Sequence, residues 1–326
     1  MTEQEYAGVN PFHIQGMVRD ESLFFGRQSE LNSIWGYLRK GSNVSIVAPR
    51  RRGKSSLLWR IKEKALDQIP QDSSKPKIQV FYINIEIESS EEQFFARLSE
   101  LVGADGPTSR QLERALENKR IILCIDEFDR TANNEAFSED FFSTLRGLSQ
   151  VENLALVVAS KIPLIEYSGE GMSSPLHNIF PPSPLYLGPL EKEDARELLT
   201  STAARVGRSF TPDEISKALE IIGDYFPWNV QYFGWCWFEN NFNMEGAEKK
   251  YNEIQVEKVK GGKKPDWLSK IISSLLFIFS VLLFYMIISR DFWLFSIIAP
   301  LAIVISALYI VWRFGYVRKS HELRRA

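Results

Sequence analysis

Cysteine and histidine are scarce in this 326-residue chain: two cysteines, Cys124 and Cys236, and three histidines, His13, His177 and His321. The cysteines lie far apart, each inside an apolar run, which excludes a disulfide framework and points to reducing surroundings. No histidine has a cysteine or carboxylate partner at ligand spacing, so no zinc site is expected. Charge of one sign is also missing. Lys and Arg total 39 against 41 for Asp and Glu, a net charge of -2. That balance gives no global drive toward nucleic acid and leaves only local patches. A basic, apolar leader is not expected either. The N-terminus MTEQEYAGVN is polar and acidic, so the first module is expected to stay where it is synthesised.

What is present is enough apolar residue, 44%, to bury a sizeable core and to exclude disorder as the default. Residues 1 to about 240 alternate short apolar runs with amphipathic stretches, the rhythm of a sheet covered by helices. Val44–Ala48, Val80–Glu86, Ile121–Asp126 and Leu154–Ser160 read as parallel strands buried on both faces, with Leu185–Leu187 as a fifth. Glu191–Val206 and Pro212–Asn240 read as helical, a small subdomain after the sheet. The fold class is therefore α/β, with a small helical lid. The segments are 1–20 as an N-terminal segment, 21–190 as the α/β core, 191–240 as the lid, 241–265 as a polar linker or solvated helix, 266–314 and a basic tail at 315–326.

Two long apolar stretches, Trp267–Ile288 and Phe292–Trp312, each have the ~20 residues that cross a ~30 Å hydrocarbon layer. Ser289, Arg290 and Asp291 between them fit a tight reversal, because a charge at mid-bilayer costs about 3 kcal/mol and little at an interface. Lys258, Lys260, Lys263 and Lys264 precede the pair, Lys270 lies at its very start, and Arg313, Arg318, Lys319, Arg324 and Arg325 follow it. The positive-inside rule then places both termini and the α/β module in the cytoplasm, with the hairpin in the cell (inner) membrane and the lipid bilayer as a partner.

The chemistry is concentrated at two strand ends. After Val44–Val47 come Ala48, Pro49, Arg50, Arg51, Arg52, Gly53, Lys54, Ser55 and Ser56, then an apolar helix. This is a Walker A pattern with Ala in place of the first Gly. Such a loop aims N–H groups at phosphate oxygens, and the helix N-terminus adds partial positive charge. Arg50 through Ser56 would cradle ATP, Lys54 would reach the β- and γ-phosphates, and Ser55 would coordinate Mg²⁺. The strand ending in Asp126 and Glu127 has the form of a Walker B segment. Asp126 would hold the Mg²⁺ shell, and Glu127 would orient or polarise the attacking water.

Asn10–Phe12, Phe24–Arg27, Glu30, Leu31 and Pro49–Leu58 together resemble the N-terminal half of a prokaryotic AAA-like P-loop ATPase of the STAND type, related to the AAA+ and origin-recognition ATPases. That resemblance covers residues 10 to about 240 and implies an ASCE-type parallel sheet. It further implies that Gly26 and Arg27 lie beside the adenine and that Ser160 acts as the polar sensor of the γ-phosphate. Leu187–Leu190 would lead into the lid, where Gly223, Pro227 and Gln231 match a glycine-proline motif whose proline, Pro227, approaches the nucleotide. The aromatic residues at 228, 232 and 235 share one helix face and are expected to pack the lid.

The function expected is that of a membrane-anchored ATP-hydrolysing switch in signal transduction, alternating between ATP and ADP and acting on a second copy or another protein. The alternatives are an ATPase-controlled membrane effector that opens or disrupts the bilayer, and a non-hydrolysing nucleotide-binding scaffold. No basic recognition helix or winged-helix domain stands out, so nucleic acid is not an expected partner.

Overall fold

The computed structural model describes residues 9–262, apart from 72, 75, 133, 151–152 and 168–175. The chain divides into two units at Tyr251/Asn252, inside the segment read from sequence as a linker. The proposed hairpin lies outside the described residues. Among the described residues no helix is long and apolar enough to cross a membrane.

In chain order the first unit contains α1 (Gln28–Arg39), β1 (Val44–Val47), α2 (Lys54–Gln68), β2 (Ile78–Asn84), α3 (Glu91–Val102), α4 (Ser109–Leu116) and β3 (Arg120–Asp126). These are followed by α5 (Glu139–Gln150), β4 (Leu154–Ser160), β5 (Leu185–Tyr186), α6 (Lys192–Ala204), α7 (Pro212–Ile222) and α8 (Pro227–Glu239). The last described helix, α9 (Met244–Gly262), begins in the first unit and continues into the second.

The five strands are parallel, in the order β2-β3-β4-β1-β5. Strand β4 thus lies between the strand that feeds the Lys54 loop and the strand that ends in Asp126. Alternation along the strands sorts the core into two layers. Ile121, Leu123 and Ile125 of β3 with Leu154, Leu156 and Val158 of β4 face α3, α4 and α5. Ile122 and Cys124 with Ala155, Val157 and Ala159 face α1 and α2. Both faces are covered, which is why these strands read as continuous apolar runs.

The lid helices are delimited by local signals. Thr211 and Glu214 form a capping box at the start of α7, with Pro212 in its first turn. Pro227 likewise opens α8. The stretch 212–240, read as helical throughout, is therefore two helices separated by residues 223–226. Of the two readings of 241–265, a polar linker or a helix, the described residues show the helix, α9.

Candidate nucleotide site

The Lys54 loop is shaped by two left-handed residues, Arg51 at φ 65° and Gly53 at φ 91°. The second is the N-cap of α2, and only glycine adopts that conformation without cost. Ala48 needs no such freedom. It is buried, and its N–H extends the sheet ladder to the Ser160 carbonyl at 3.1 Å, so alanine is tolerated where the usual pattern has glycine. Lys54 is only 5% exposed, and its ammonium donates to the carbonyls of Ala48 (2.6 Å) and Pro49 (3.1 Å). Burial pulls its pKa down, while the carboxylates of Glu127, Asp129 and Asp126 oppose that shift.

At the end of β3, Asp126 is buried and doubly held. Its Oδ2 accepts from the Tyr82 hydroxyl at 2.7 Å, and its Oδ1 accepts from the Glu127 N–H at 2.9 Å. Burial and the Asp126 charge push the Tyr82 phenol well above its ordinary range, so it remains a donor. Glu127 sits at φ 52°, a sterically costly conformation for a side-chain-bearing residue that is common at functional sites. Burial, followed by the Asp129 and Asp126 carboxylates, raises the Glu127 pKa; Lys161 and Lys54 act against them. The Lys161 ammonium is 2.8 Å from Asp129 Oδ2 and 4.0 Å from Glu127 Oε2. Glu127 Oε2 and Asp129 Oδ1 are buried without hydrogen-bond partners.

Lys54, Tyr82, Asp126 and Glu127 open onto one cavity of about 700 Å³, lined also by Arg50, Arg51, Gly53, Ser55, Ser56, Pro227 and Trp228, within the size range of ligand pockets; Asp129 and Lys161 stand behind Glu127, outside that lining. Residues 13–18 form another wall. His13 N–H donates to Gln231 Oε1 (2.9 Å), Trp228 Nε1–H donates to the Ile14 carbonyl (3.2 Å), and Val18 N–H donates to Ser56 Oγ (2.9 Å). The N-terminal segment is therefore a strap joining the lid to α2. The donor set fits a nucleotide and Mg²⁺: a helix N-terminus beside Lys54 for phosphate, and Ser55 with Asp126 as hard oxygen ligands. The two unpartnered carboxylate oxygens are the kind of buried polar atoms that a bound ligand or water satisfies.

Four expected site residues lie outside this lining. Gly26 does not line the cavity, and Arg27 is turned inward, with its guanidinium on the Gly188 carbonyl (2.7 Å), the Arg52 carbonyl (3.4 Å) and Glu30 (2.6 Å). Arg27 therefore braces the loop against the start of the lid. The Arg52 guanidinium rests on the Phe226 ring. Burial lowers its pKa, opposed by Asp224. Ser160 is fully buried next to the start of the loop, paired with Val47, and its hydroxyl donates to the Ile162 carbonyl at 2.7 Å. Tyr82, Asp129, Lys161 and the wall formed by residues 13–18 were not singled out from the sequence as parts of the site. Lys161 directly follows Ser160 and Asp129 closes the run Asp-Glu-Phe-Asp, so both carried a local signal. Tyr82 carried none without the β2-β3 register.

The glycine-capped Lys54 turn, the Asp126-Glu127 strand end with β4 inserted between the two strands, and a helical lid on the cavity define a P-loop nucleotide-binding protein. The chain belongs to the nSTAND1 family, Novel STAND NTPase 1, which matches residues 6–225. Among solved structures it is similar to a Walker-type ATPase of Pyrococcus abyssi, at 18% identity over 77% of each chain with a TM-score of 0.58. It is also similar to the ORC2 protein of Aeropyrum pernix, in ADPNP-ADP complexes, at 16% identity over 73% of this chain and 72% of that one, TM-score 0.54. At these identities the likeness is one of fold. A search of the curated proteins finds no sequence match.

Proposed function

We propose that this chain is an ATP-hydrolysing switch tethered to the cell membrane by the 267–288 and 292–312 hairpin, with its nucleotide module in the cytoplasm. One observation supports the switch above others: five side chains stack in a row from the P-loop to α9. Arg51 lies over Trp228 (4.4 Å), Trp228 stacks on Tyr232 (4.8 Å, 5°), Tyr232 on Trp235 (5.9 Å, 13°), and Lys250 of α9 lies over Trp235 (4.3 Å). A change at the P-loop thus has a physical route along α8 to the helix that continues into the second unit.

In the working cycle Lys54 exchanges the Ala48 and Pro49 carbonyls for phosphate oxygens, and Arg51 exchanges the Trp228 face for the same anion. Mg²⁺, when bound by Ser55 and beside Asp126, would offset phosphate charge. Glu127 orients the water and accepts its proton, while Lys161 holds Asp129 and Glu127 in place. The ATP and ADP states must favour different lid positions for the cycle to act as a signal. A second copy or another protein at the membrane would receive it.

The test is ATP hydrolysis and particle mass of the detergent-solubilised full-length protein, parent against Lys54→Ala and Glu127→Gln, with carbonate extraction of membranes from the expressing cells. Lys54→Ala is expected to lose nucleotide binding. Glu127→Gln is expected to bind but turn over at least 100-fold more slowly. Turnover at the parental rate in Glu127→Gln would remove the hydrolytic assignment, binding without turnover in the parent would make it a scaffold, and release of the protein by carbonate would remove the anchor.

A further inference from the structure

Tyr82 faces the end of the Asp126 strand for a reason set by register. It pairs with Cys124 across the parallel β2-β3 ladder, so its side chain stands on the face that carries Cys124 and, two residues on, Asp126. From there the hydroxyl reaches Asp126 Oδ2 at 2.7 Å. Its ring meets Trp59 of α2 edge-on, with centroids 6.0 Å apart at 73°. The Arg19 guanidinium (4.7 Å) and the Lys62 ammonium (4.1 Å) each lie over the Trp59 ring. The tyrosine is thus wedged between the helix that begins at Lys54 and the strand that ends at Asp126, the two elements on which nucleotide chemistry depends.

A carboxylate has about four lone-pair directions. Tyr82 takes one on Oδ2 and the Glu127 N–H takes one on Oδ1, which fixes the plane of the group. The remaining directions stay available to a cation or to its bound water. A metal-facing carboxylate anchored in this way meets the ion without having to be ordered at the moment of binding. We propose that Tyr82 is a positioning residue for the divalent cation of the nucleotide site, acting through the orientation of Asp126, on which its hydroxyl is engaged. The inference rests on the reading of Asp126 as part of the Mg²⁺ site.

The experiment uses the full-length protein, Tyr82→Phe, and Mn²⁺ as a paramagnetic probe in the presence of a non-hydrolysable ATP analogue. Phenylalanine keeps the ring against Trp59 and removes only the hydroxyl. The Mn²⁺ affinity read by electron paramagnetic resonance is expected to fall about tenfold, the lower end of the cost of losing a partner of a metal ligand. Because the ring that lines the cavity is kept, affinity for the analogue in EDTA is expected to fall less than the Mn²⁺ affinity, which a general distortion of the site would not allow. In an Asp126→Asn background the same substitution is expected to add nothing, because the group it orients is gone.

Unchanged Mn²⁺ affinity in Tyr82→Phe, an equal loss of metal-free nucleotide affinity, or additivity with Asp126→Asn overturns the proposal. Should Tyr82→Phe not fold, Trp59→Leu, which loosens the tyrosine ring and leaves its hydroxyl, is expected to give a smaller loss of Mn²⁺ affinity; no loss there also overturns it. A parent protein that binds neither the analogue nor Mn²⁺ would instead remove the functional reading itself.

Discussion

The guanidinium of Arg51 lies 4.4 Å from the centroid of the Trp228 ring, so a residue of the phosphate-binding loop rests on the first turn of the lid helix α8. A cation–π contact of this kind stabilises by about 0.5–1 kcal/mol where partly exposed, less than a charge-assisted bond to phosphate. Nucleotide is therefore expected to draw Arg51 off the ring. Trp228 emission should change on adding ATP, and the change should vanish in Trp228→Phe and in Arg51→Ala while the other tryptophans serve as an unchanged background. Arg51→Ala is expected to lower ATP affinity several-fold. A full emission change in Arg51→Ala would show that this contact does not respond to the nucleotide.

The Glu127 carboxyl lies between opposing charges, which sets the expected pH dependence of turnover. Burial, Asp129 and Asp126 raise its pKa, and Lys161 and Lys54 hold the rise back. A base must be ionised to accept a proton, so the acid limb of kcat is expected above the ordinary carboxylate range. Lys161→Met removes an opposing cation and should move the limb to higher pH, with a greater loss at pH 6 than at pH 8. Asp129→Asn removes a like charge and should move it to lower pH. Shifts in the same direction for both variants would show that these neighbours do not act through Glu127.

What could be read from the sequence follows from what each feature requires. The strand Leu154–Ser160 was legible residue for residue, because a strand buried on both faces is an unbroken apolar run. The Lys54 loop and the Asp126-Glu127 end were legible because their chemistry is local. Tyr82 and Lys161 reach across the sheet: one needs the β2-β3 register and the other the β3-β4 pairing that sets the end of β4 beside the end of β3. Arg27 could not be placed from its motif, since its left-handed backbone at φ 67° turns the guanidinium toward Gly188. The aromatic residues at 228, 232 and 235 share one helix face, but how they pack could not be read from spacing. The fold buries Trp237 fully and stacks Trp228 and Trp235 on Tyr232.

The same carboxyl affects stability. The folded-state pKa of Glu127 lies above its ordinary value of 4.5, so the native state binds this proton more tightly than the unfolded chain does. Its contribution is fully present below the unfolded value and is lost as pH rises through the folded value. Glu127→Gln, neutral at every pH, has no such loss. Thermal unfolding of the nucleotide-free protein is therefore expected to show Tm of the variant rising relative to the parent from about pH 4.5 upward, the reference carboxyl value, then reaching a plateau. A constant gap across that range would mean that the carboxyl is not perturbed in the native state.

Phe12 of the strap is 4% exposed and packs directly over Gly234 of α8, where an added Cβ would lie 2.2 Å from the ring. The flanking bonds, Asn10 to the Trp235 carbonyl and His13 N–H to Gln231, hold the strap over the same stretch of helix. Gly234→Ala keeps and even favours the helix, since alanine is the better helix former by about 1 kcal/mol. Any loss must then come from displacing Phe12, a small-to-large change in a packed core that costs about 1–3 kcal/mol. Because the strap also carries Ile14 and Val18, bonded to Trp228 and Ser56, its release should open one wall of the cavity. The expected outcome is cleavage by protease before residue 20, a lower Tm and weaker nucleotide binding. Phe12→Ala in the Gly234→Ala background, which removes the clashing ring, should restore part of the Tm without restoring the strap's protection. If Gly234→Ala alone leaves both the protease pattern and nucleotide affinity at parental values, the strap does not depend on Phe12 and the wall it forms is held elsewhere.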